Sequence, residues 1–379
     1  PDSDVVYFTG LEEPQLKIMF VYNGEERKVI SFIPKDDKER DFWIGKFDHD
    51  KLKSVSDEIL TLDKFDEILE EKIKISKRIF YPIGKDENLD LTIARSIANM
   101  RKLSRQGVSF PKVINDVRDI TSEMRVVKSE AEIRLIRKAV DIEKEALEEA
   151  RKEIKPGRFE YEIEAKLISV YRKHGAVESF VPIVASGDNA TVIHYTKNDG
   201  VIGESDFVVI DSGAEYSYYS SDVTRTFSVS KIRKEQKLIY DAVLHIQNEI
   251  ISLVKPGITF EILENKTIEL VTDYLKEFGI LKYPKEQIIE EGKFKEFYPH
   301  KIGHFLGVDV HDAPVYFING KPKKFEPSMV ITIEPGIYIS KTKDVPENFK
   351  GIGVRIEDDI LLNQNGCEIL TKDIPKIIV

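Results

Sequence analysis

The stretch Val208-Val209-Ile210-Asp211-Ser212-Gly213 is an apolar strand that ends on an acid and a glycine, and Ile331-Thr332-Ile333-Glu334-Pro335-Gly336 repeats that pattern later in the chain. Each is followed by a tyrosine, Tyr216 or Tyr338, and then by a second acid flanked by strand residues, Asp222 or Glu357. A further echo lies upstream. Ile154-Lys155-Pro156-Gly157, before a helix with Phe159 and Ile163, returns one hundred residues later as Val254-Lys255-Pro256-Gly257, before a helix with Phe260 and Ile262. A Lys-Pro-Gly triplet recurs by chance, but two echoes in the same order argue for two structurally similar halves. Halves packed about a pseudo-twofold axis bring their four acids to one central site.

An isolated anion in an apolar setting is expensive unless it is paired, protonated or bound to a cation. For any one of Asp211, Asp222, Glu334 and Glu357, capping a strand or meeting a lysine is as good a reading as binding a metal. Four carboxylates at matching places repel one another unless cations sit among them, and their combined charge suits two divalent ions better than one. The run His300-Lys301-Ile302-Gly303-His304-Phe305-Leu306-Gly307-Val308-Asp309-Val310-His311-Asp312 adds three of the seven histidines. So dense a cluster favours a metal or catalytic site. It is not the zincin H-E-x-x-H, because no acid lies between His300 and His304, and its two glycines suggest a tight, bent strand region. Carboxylates joined by one or two imidazoles favour manganese, cobalt, iron or zinc over calcium and magnesium.

The chain's 379 residues exceed one ordinary domain of roughly 150. Its first third alternates strand signals, Leu16 to Tyr22 and Lys28 to Ile33 about the turn Asn23-Gly24, with helical spacing over Asp57 to Lys72 and Leu89 to Leu103. That is a small α/β domain. The capping box Ser129-Glu130-Ala131-Glu132 then opens a helix that runs to about Ile154, which places the boundary near residue 122. The expected domains are 1–122 and 123–379.

With 57 basic and 67 acidic residues the net charge is −10, which makes nucleic acid and anionic membranes poor partners. The single cysteine, Cys367, excludes an internal disulfide, a zinc ribbon and an iron–sulfur site, and fits a reducing compartment such as the cytoplasm. No apolar run approaches the ~20 residues of a membrane helix, and no signal peptide opens the chain, so a soluble protein is expected. The chain starts at Pro1 and enters the strand-like Val5-Val6-Tyr7-Phe8 at once, so a few residues are expected to precede it. Default readings cover the remainder. His49, His174 and His245 are structural or solvated, Lys321 to Lys324 form a solvated loop, and Cys367 is a small residue near a turn. Gly351-Ile352-Gly353 leads into a strand and cradles no nucleotide. Trp43, the sole tryptophan, packs, with lining the mouth of the active site as the alternative.

The chain closely resembles the aminopeptidase P family, the Xaa-Pro aminopeptidases among the creatinase or "pita-bread" metallopeptidases. The resemblance rests on Ile193-His194-Tyr195-Thr196, Val209 to Gly213, Ser221-Asp222-Val223-Thr224-Arg225-Thr226-Phe227, the histidine run, Thr332 to Gly336, and Gly351-Ile352-Gly353-Val354-Arg355-Ile356-Glu357-Asp358-Asp359. In the first domain Tyr7-Phe8-Thr9-Gly10, Glu13-Pro14 and Phe42-Trp43-Ile44-Gly45 also look like that family. One departure is Lys301, where a small residue commonly follows the first histidine; it bears on the shape of the substrate pocket.

The resemblance implies an α+β protein: a pseudo-twofold pita-bread domain, with a curved antiparallel sheet and helices outside, after a smaller creatinase-type α/β domain. It implies Asp211, Asp222, His304, Glu334 and Glu357 as ligands of two divalent metals, most simply Mn²⁺, with Co²⁺, Zn²⁺ or Fe²⁺ as alternatives. An axis relating the halves exchanges the ions, so Asp211 and Glu334 are terminal, Asp222 and Glu357 bridge, and His304 makes the ions unequal. A bridging hydroxide attacks the carbonyl before proline and Glu334 shuttles its proton. His194 and His311 contact the substrate, with His311 stabilising the oxyanion; His300 lines the proline pocket and Arg355 orients carboxylates or substrate. Substrates are peptides with proline second, and copies associate as homodimers or homotetramers through the first domain. Three alternatives stand: a prolidase cutting Xaa-Pro dipeptides, a non-catalytic peptide- or histone-binding module of the same fold, and a metal-free creatinase-like hydrolase. Val345-Pro346-Glu347 and Gly351 to Arg355 favour the aminopeptidase over the prolidase.

Overall fold

The computed structural model describes every residue except Pro1, Glu13, Pro14, Asp36, Phe47, 313–315, Ile377 and Val379, and the side chain of Ile44. The Glu13-Pro14 pair and the starting Pro1 thus lie outside the described residues. The chain divides into two compact units, Pro1–Ser122 and Glu123–Val379.

In the first unit, strands Lys17–Tyr22 and Arg27–Ile33 pair antiparallel. Their turn holds because the Asn23 side chain accepts the Glu25 and Glu26 N–H groups while Gly24 takes φ 104°. Two expectations fail here. Val5 to Phe8 lie in a helix, Ser3–Thr9, because the Asp2 carboxylate caps the Asp4 and Val5 N–H groups and Gly10 closes the other end in the left-handed region. These end signals outweigh the strand preference of two valines. The helix expected from Asp57 begins only at Phe65 and runs to Ile75, since Glu58–Thr61 instead pairs parallel with Arg27–Ile33. The helix Glu87–Lys102 and the parallel pair Arg78–Tyr81 and Val113–Asp116 complete a mixed α/β unit. Trp43 does not pack into a core: it is 73% exposed, edge-on to an equally open Phe42.

The second unit carries the repeat, and all its strand pairings among the described residues are antiparallel. In its first half the capping box at Ser129 opens the helix Glu130–Glu153, which packs with Glu160–Lys173 over a sheet of Val223–Ser228, Phe207–Ser212 and Ile183–Ser186. Ile142, Leu147, Ile163 and Leu167 cover Val208, Ile210 and Val223 there, each burial contributing about 1.5–3 kcal/mol. The second half answers with helices Lys234–Leu253 and Phe260–Glu277 over Val330–Ile333, Asp358–Leu362 and Cys367–Ile369, beside the hairpin Gly336–Ile339 and Ile352–Arg355. Lys321 to Lys324 are no solvated loop. Lys321–Pro322 is a strand, and Lys323 is buried with its ammonium on Glu123 at 2.9 Å.

The Lys-Pro-Gly echo has a physical cause. Gly157 N–H donates to Ile202 O and Ile202 N–H returns to Arg158 O; likewise Gly257 N–H donates to Phe325 O and Phe325 N–H returns to Ile258 O. Ile202 and Phe325 stand as far apart in the chain as Asp211 and Glu334, so each glycine turn registers a helix against the strand that delivers an acid. Both glycines take positive φ, 85° and 92°, with open space where a Cβ would stand. Gly157→Ala and Gly257→Ala should therefore each lower stability by about 1–2 kcal/mol from backbone strain alone. Urea unfolding checks this; no loss at either position would remove the registering role.

Candidate active site

Asp211 lies within its strand opposite Thr224, Asp222 enters the neighbouring strand, Glu334 leaves the end of Val330–Ile333, and Glu357 sits between two strands of the second half. The halves are stitched at this point, because Glu357 N–H donates to Thr224 O at 3.0 Å and Asp222 N–H to the Asp359 carboxylate at 3.2 Å. The histidine run has no regular element of its own. It lies along the strand that precedes Glu334, with Thr332 N–H on His304 O and Glu334 N–H on Ile302 O, and a Cβ at Gly303 would overlap the Thr332 carbonyl oxygen.

These constraints bring Asp222, His304 and Glu357 together, all buried, with donor atoms within 4.8 Å of one another. His304 Nε2 is 3.3 Å from Asp222 Oδ2 and 3.9 Å from Glu334 Oε1. Its Nδ1 lies 3.0 Å from Phe305 O, which can only accept, so Nδ1 bears the proton and Nε2 turns to the carboxylates. Asp211 and Glu334 border this set rather than belong to it. Arg355 donates to Asp211 Oδ2 at 2.5 Å and to Thr224 Oγ1 at 3.0 Å, and Thr224 in turn donates to Glu357 Oε2 at 2.7 Å.

Burial, reinforced by neighbouring carboxylates, raises Asp222 and Glu334 well above the ordinary carboxylate range and pushes Glu357 up to about 7. Asp211 Oδ1 and Asp222 Oδ1 are buried with no hydrogen-bond partner. Orphaned carboxylate oxygens beside an imidazole nitrogen are what a divalent cation requires, so the donor set fits a metal.

The other expected residues surround this cluster. His311 lies ring to ring with His304, centroids 4.4 Å apart, and burial together with His304 and His194 holds it below its usual pKa. His194 stands exposed in a turn, close enough for its charge to depress both His300 and His311. Burial and the Arg355 charge take His300 down to about 4. Its Nδ1–H donates to Lys301 O while Nε2 accepts from the Tyr338 hydroxyl at 2.8 Å, and that hydroxyl accepts from Arg355 at 2.9 Å. The Lys301 ammonium points outward, 3.6 Å from Glu264. Sequence reasoning assigned no role to Tyr338 or Thr224, although the first follows the Glu-Pro-Gly echo and the second stands in a quoted motif.

Residues 134–364 match the profile of metallopeptidase family M24, and residues 1–81 that of the aminopeptidase P N-terminal domain. The chain belongs to metallopeptidase family M24. It is 36% identical to the Xaa-Pro aminopeptidase of Haemophilus influenzae across 100% of its own length and 86% of that protein. It superposes with a TM-score of 0.91 on Escherichia coli aminopeptidase P solved in complex with substrate, at 33% identity, covering 99% of this chain and 87% of that one. A proline aminopeptidase P II from Yersinia pestis gives 0.92 at 33% identity, covering 99% and 88%. The M24 chain is thus a metallo-aminopeptidase, a hydrolase that binds divalent metal, and its α+β architecture is the pita-bread fold behind an aminopeptidase P N-terminal domain.

The raised carboxyls give a signed pH dependence. Glu357 holds its proton up to about 7 when folded against an ordinary 4.5, so the chelator-stripped folded state binds more protons than the unfolded one in that window. The part of the stability that this carboxyl contributes is full below pH 4.5 and is lost as pH rises toward about 7. Added Mn²⁺ should reverse the loss, with a stabilisation that grows over the same window. Melting curves with and without metal from pH 4.5 to 7 check this, and a metal effect that shrinks with pH would contradict it.

Proposed function

We propose that this M24 enzyme hydrolyses the bond between an N-terminal residue and a penultimate proline. The names of its relatives, Xaa-Pro aminopeptidases, support that substrate class. The observation that carries the chemistry is the convergence of Asp222, His304 and Glu357 beside orphaned carboxylate oxygens. Asp222, His304 and Glu357, with Asp211 and Glu334 at their border, would hold two divalent ions, manganese being the first choice ahead of cobalt, zinc and iron. Once bound, such a pair polarises the scissile carbonyl and makes hydroxide available near neutral pH to attack it.

The chain's own residues do the rest. Glu334, in its carboxylate form when a cation is bound and with a proton affinity raised by burial, takes the proton of the attacking water and passes it to the leaving nitrogen. His311, kept neutral by its surroundings, donates an N–H to the developing oxyanion. His194 holds the substrate from its exposed turn. His300, uncharged down to pH about 4, offers an apolar ring face to the pyrrolidine of proline, and its tautomer is fixed by Tyr338. Arg355 grips Asp211 so that one carboxylate oxygen stays free. This reading takes 1–122 as the domain through which copies form homodimers or homotetramers, 123–379 as the catalytic domain, and the cytoplasm as the compartment. No described helix is long and apolar enough to cross a membrane.

A Xaa-Pro-Xaa tripeptide should be cut by the manganese, cobalt or zinc enzyme; cleavage of the Xaa-Pro dipeptide alone would make it a prolidase instead. Asp222→Asn should abolish turnover with the fold kept, and activity within about tenfold of wild type would remove it from the ligand set. His311→Ala should lower kcat by about a hundredfold at unchanged metal content. Loss of metal in that variant would make His311 a ligand.

A further inference from the structure

His311 carries part of the proposed chemistry, yet it stands in a loop outside any helix or strand, with one side of the residue open to solvent. What fixes its place lies one residue on. Asp312 is buried at 1% exposure, and its carboxylate is gripped at both oxygens: Lys128 Nζ donates to Oδ2 at 2.9 Å and Arg125 Nη2 to Oδ1. The same guanidinium reaches Asp309, so both acids of the loop answer to it. Lys128 is itself anchored. Its side chain is 1% exposed, its N–H donates to Ser328 O at 2.9 Å, and Val127 bridges Met329, which leads into Val330–Ile333. The loop between the two histidines closes on itself through Asp312 N–H to Phe305 O at 2.9 Å and Gly307 N–H to Asp309 O at 3.1 Å. Gly307 has no room for a side chain because the Asp312 carboxylate and the Lys128 stem fill that space.

A buried ion pair is an expensive filler, and an apolar pair of like volume is often as stable or more so. What an apolar pair lacks is direction. A carboxylate held at both oxygens sets the orientation of residue 312 and, through the shared peptide, of His311. We propose that Lys128 and Asp312, with Arg125, are positioning residues that hold the His311 ring over His304, a role that rests on the reading of His311 as the substrate-facing donor.

The test uses the full-length zinc-loaded protein, which is diamagnetic, with ¹⁵N-labelled histidines, as Lys128→Met, as Asp312→Asn, which keeps shape, and as Lys128→Met/Asp312→Leu, which replaces the ions by apolar groups. In any variant whose unfolding midpoint and metal content match wild type, the His311 ring resonances should shift or broaden while those of His174 and His245 stay. On the peptide that the parent enzyme cleaves, kcat should fall about tenfold to a hundredfold with KM within about threefold. The same change placed on His311→Ala should cost no more than about twofold. Unmoved His311 resonances, or a loss that adds in full to that of His311→Ala, would overturn the positioning role. A parent enzyme that cuts no proline peptide would instead overturn the substrate reading, and the ring resonances would still decide this one.

Discussion

Two buried carboxylates, Asp222 and Glu357, meet between two halves of a domain with Asp211 and Glu334 at their border, and the mutual repulsion of the four is the constraint that the surrounding structure answers. Arg355 neutralises one side of Asp211, Thr224 takes one oxygen of Glu357, and His304 turns its bare nitrogen to Asp222. None of these is enough to ionise the whole set, which is why burial drives Asp222, Glu334 and Glu357 toward their protonated forms. A cation does what protons otherwise do there. The metal is thus part of the electrostatic balance of the fold as well as the reagent, and cofactor affinity, acidity and attachment of the halves become one coupled equilibrium.

The backbone around this site is nearly symmetric while the chemistry is not. Matching glycine turns and matching strand ends deliver acids from both halves, but His300, His304 and His311 all come from the second half and only His194 from the first. In the proposed reaction that asymmetry gives His300 to the proline ring and His311 to the reacting carbonyl. Tyr338 shows how the asymmetry is held. Its hydroxyl lies between Arg355 and His300, so the residue that fixes a carboxylate also fixes the tautomer of the pocket histidine.

The sequence was most legible where local chemistry and position coincide. An acid at the end of an apolar run, the turn at Asn23-Gly24 and a capping box at Ser129 are short-range patterns, and each stands where its pattern implied. Reading failed where the deciding partner is distant. Glu58–Thr61 looked helical because the strand it joins is not adjacent, and Lys323 looked solvated because Glu123 is two hundred positions away. Val5 and Val6 misled in the opposite sense, their strand preference being weaker than the caps at Asp2 and Gly10. The grip of Lys128 on Asp312 left no trace in composition or spacing, since a lysine in a linker and an aspartate after a histidine are each ordinary alone.

The open position of Trp43 has a spectroscopic consequence. As the only tryptophan, and one 73% exposed, it emits at long wavelength in the native protein and changes little when its own unit melts. Its emission is therefore a weak reporter of unfolding, which is better followed through tyrosine or the amide signal. The same indole emission shifts to the blue when any other surface covers it, which makes it an unlabelled gauge of whatever docks on that part of the first unit.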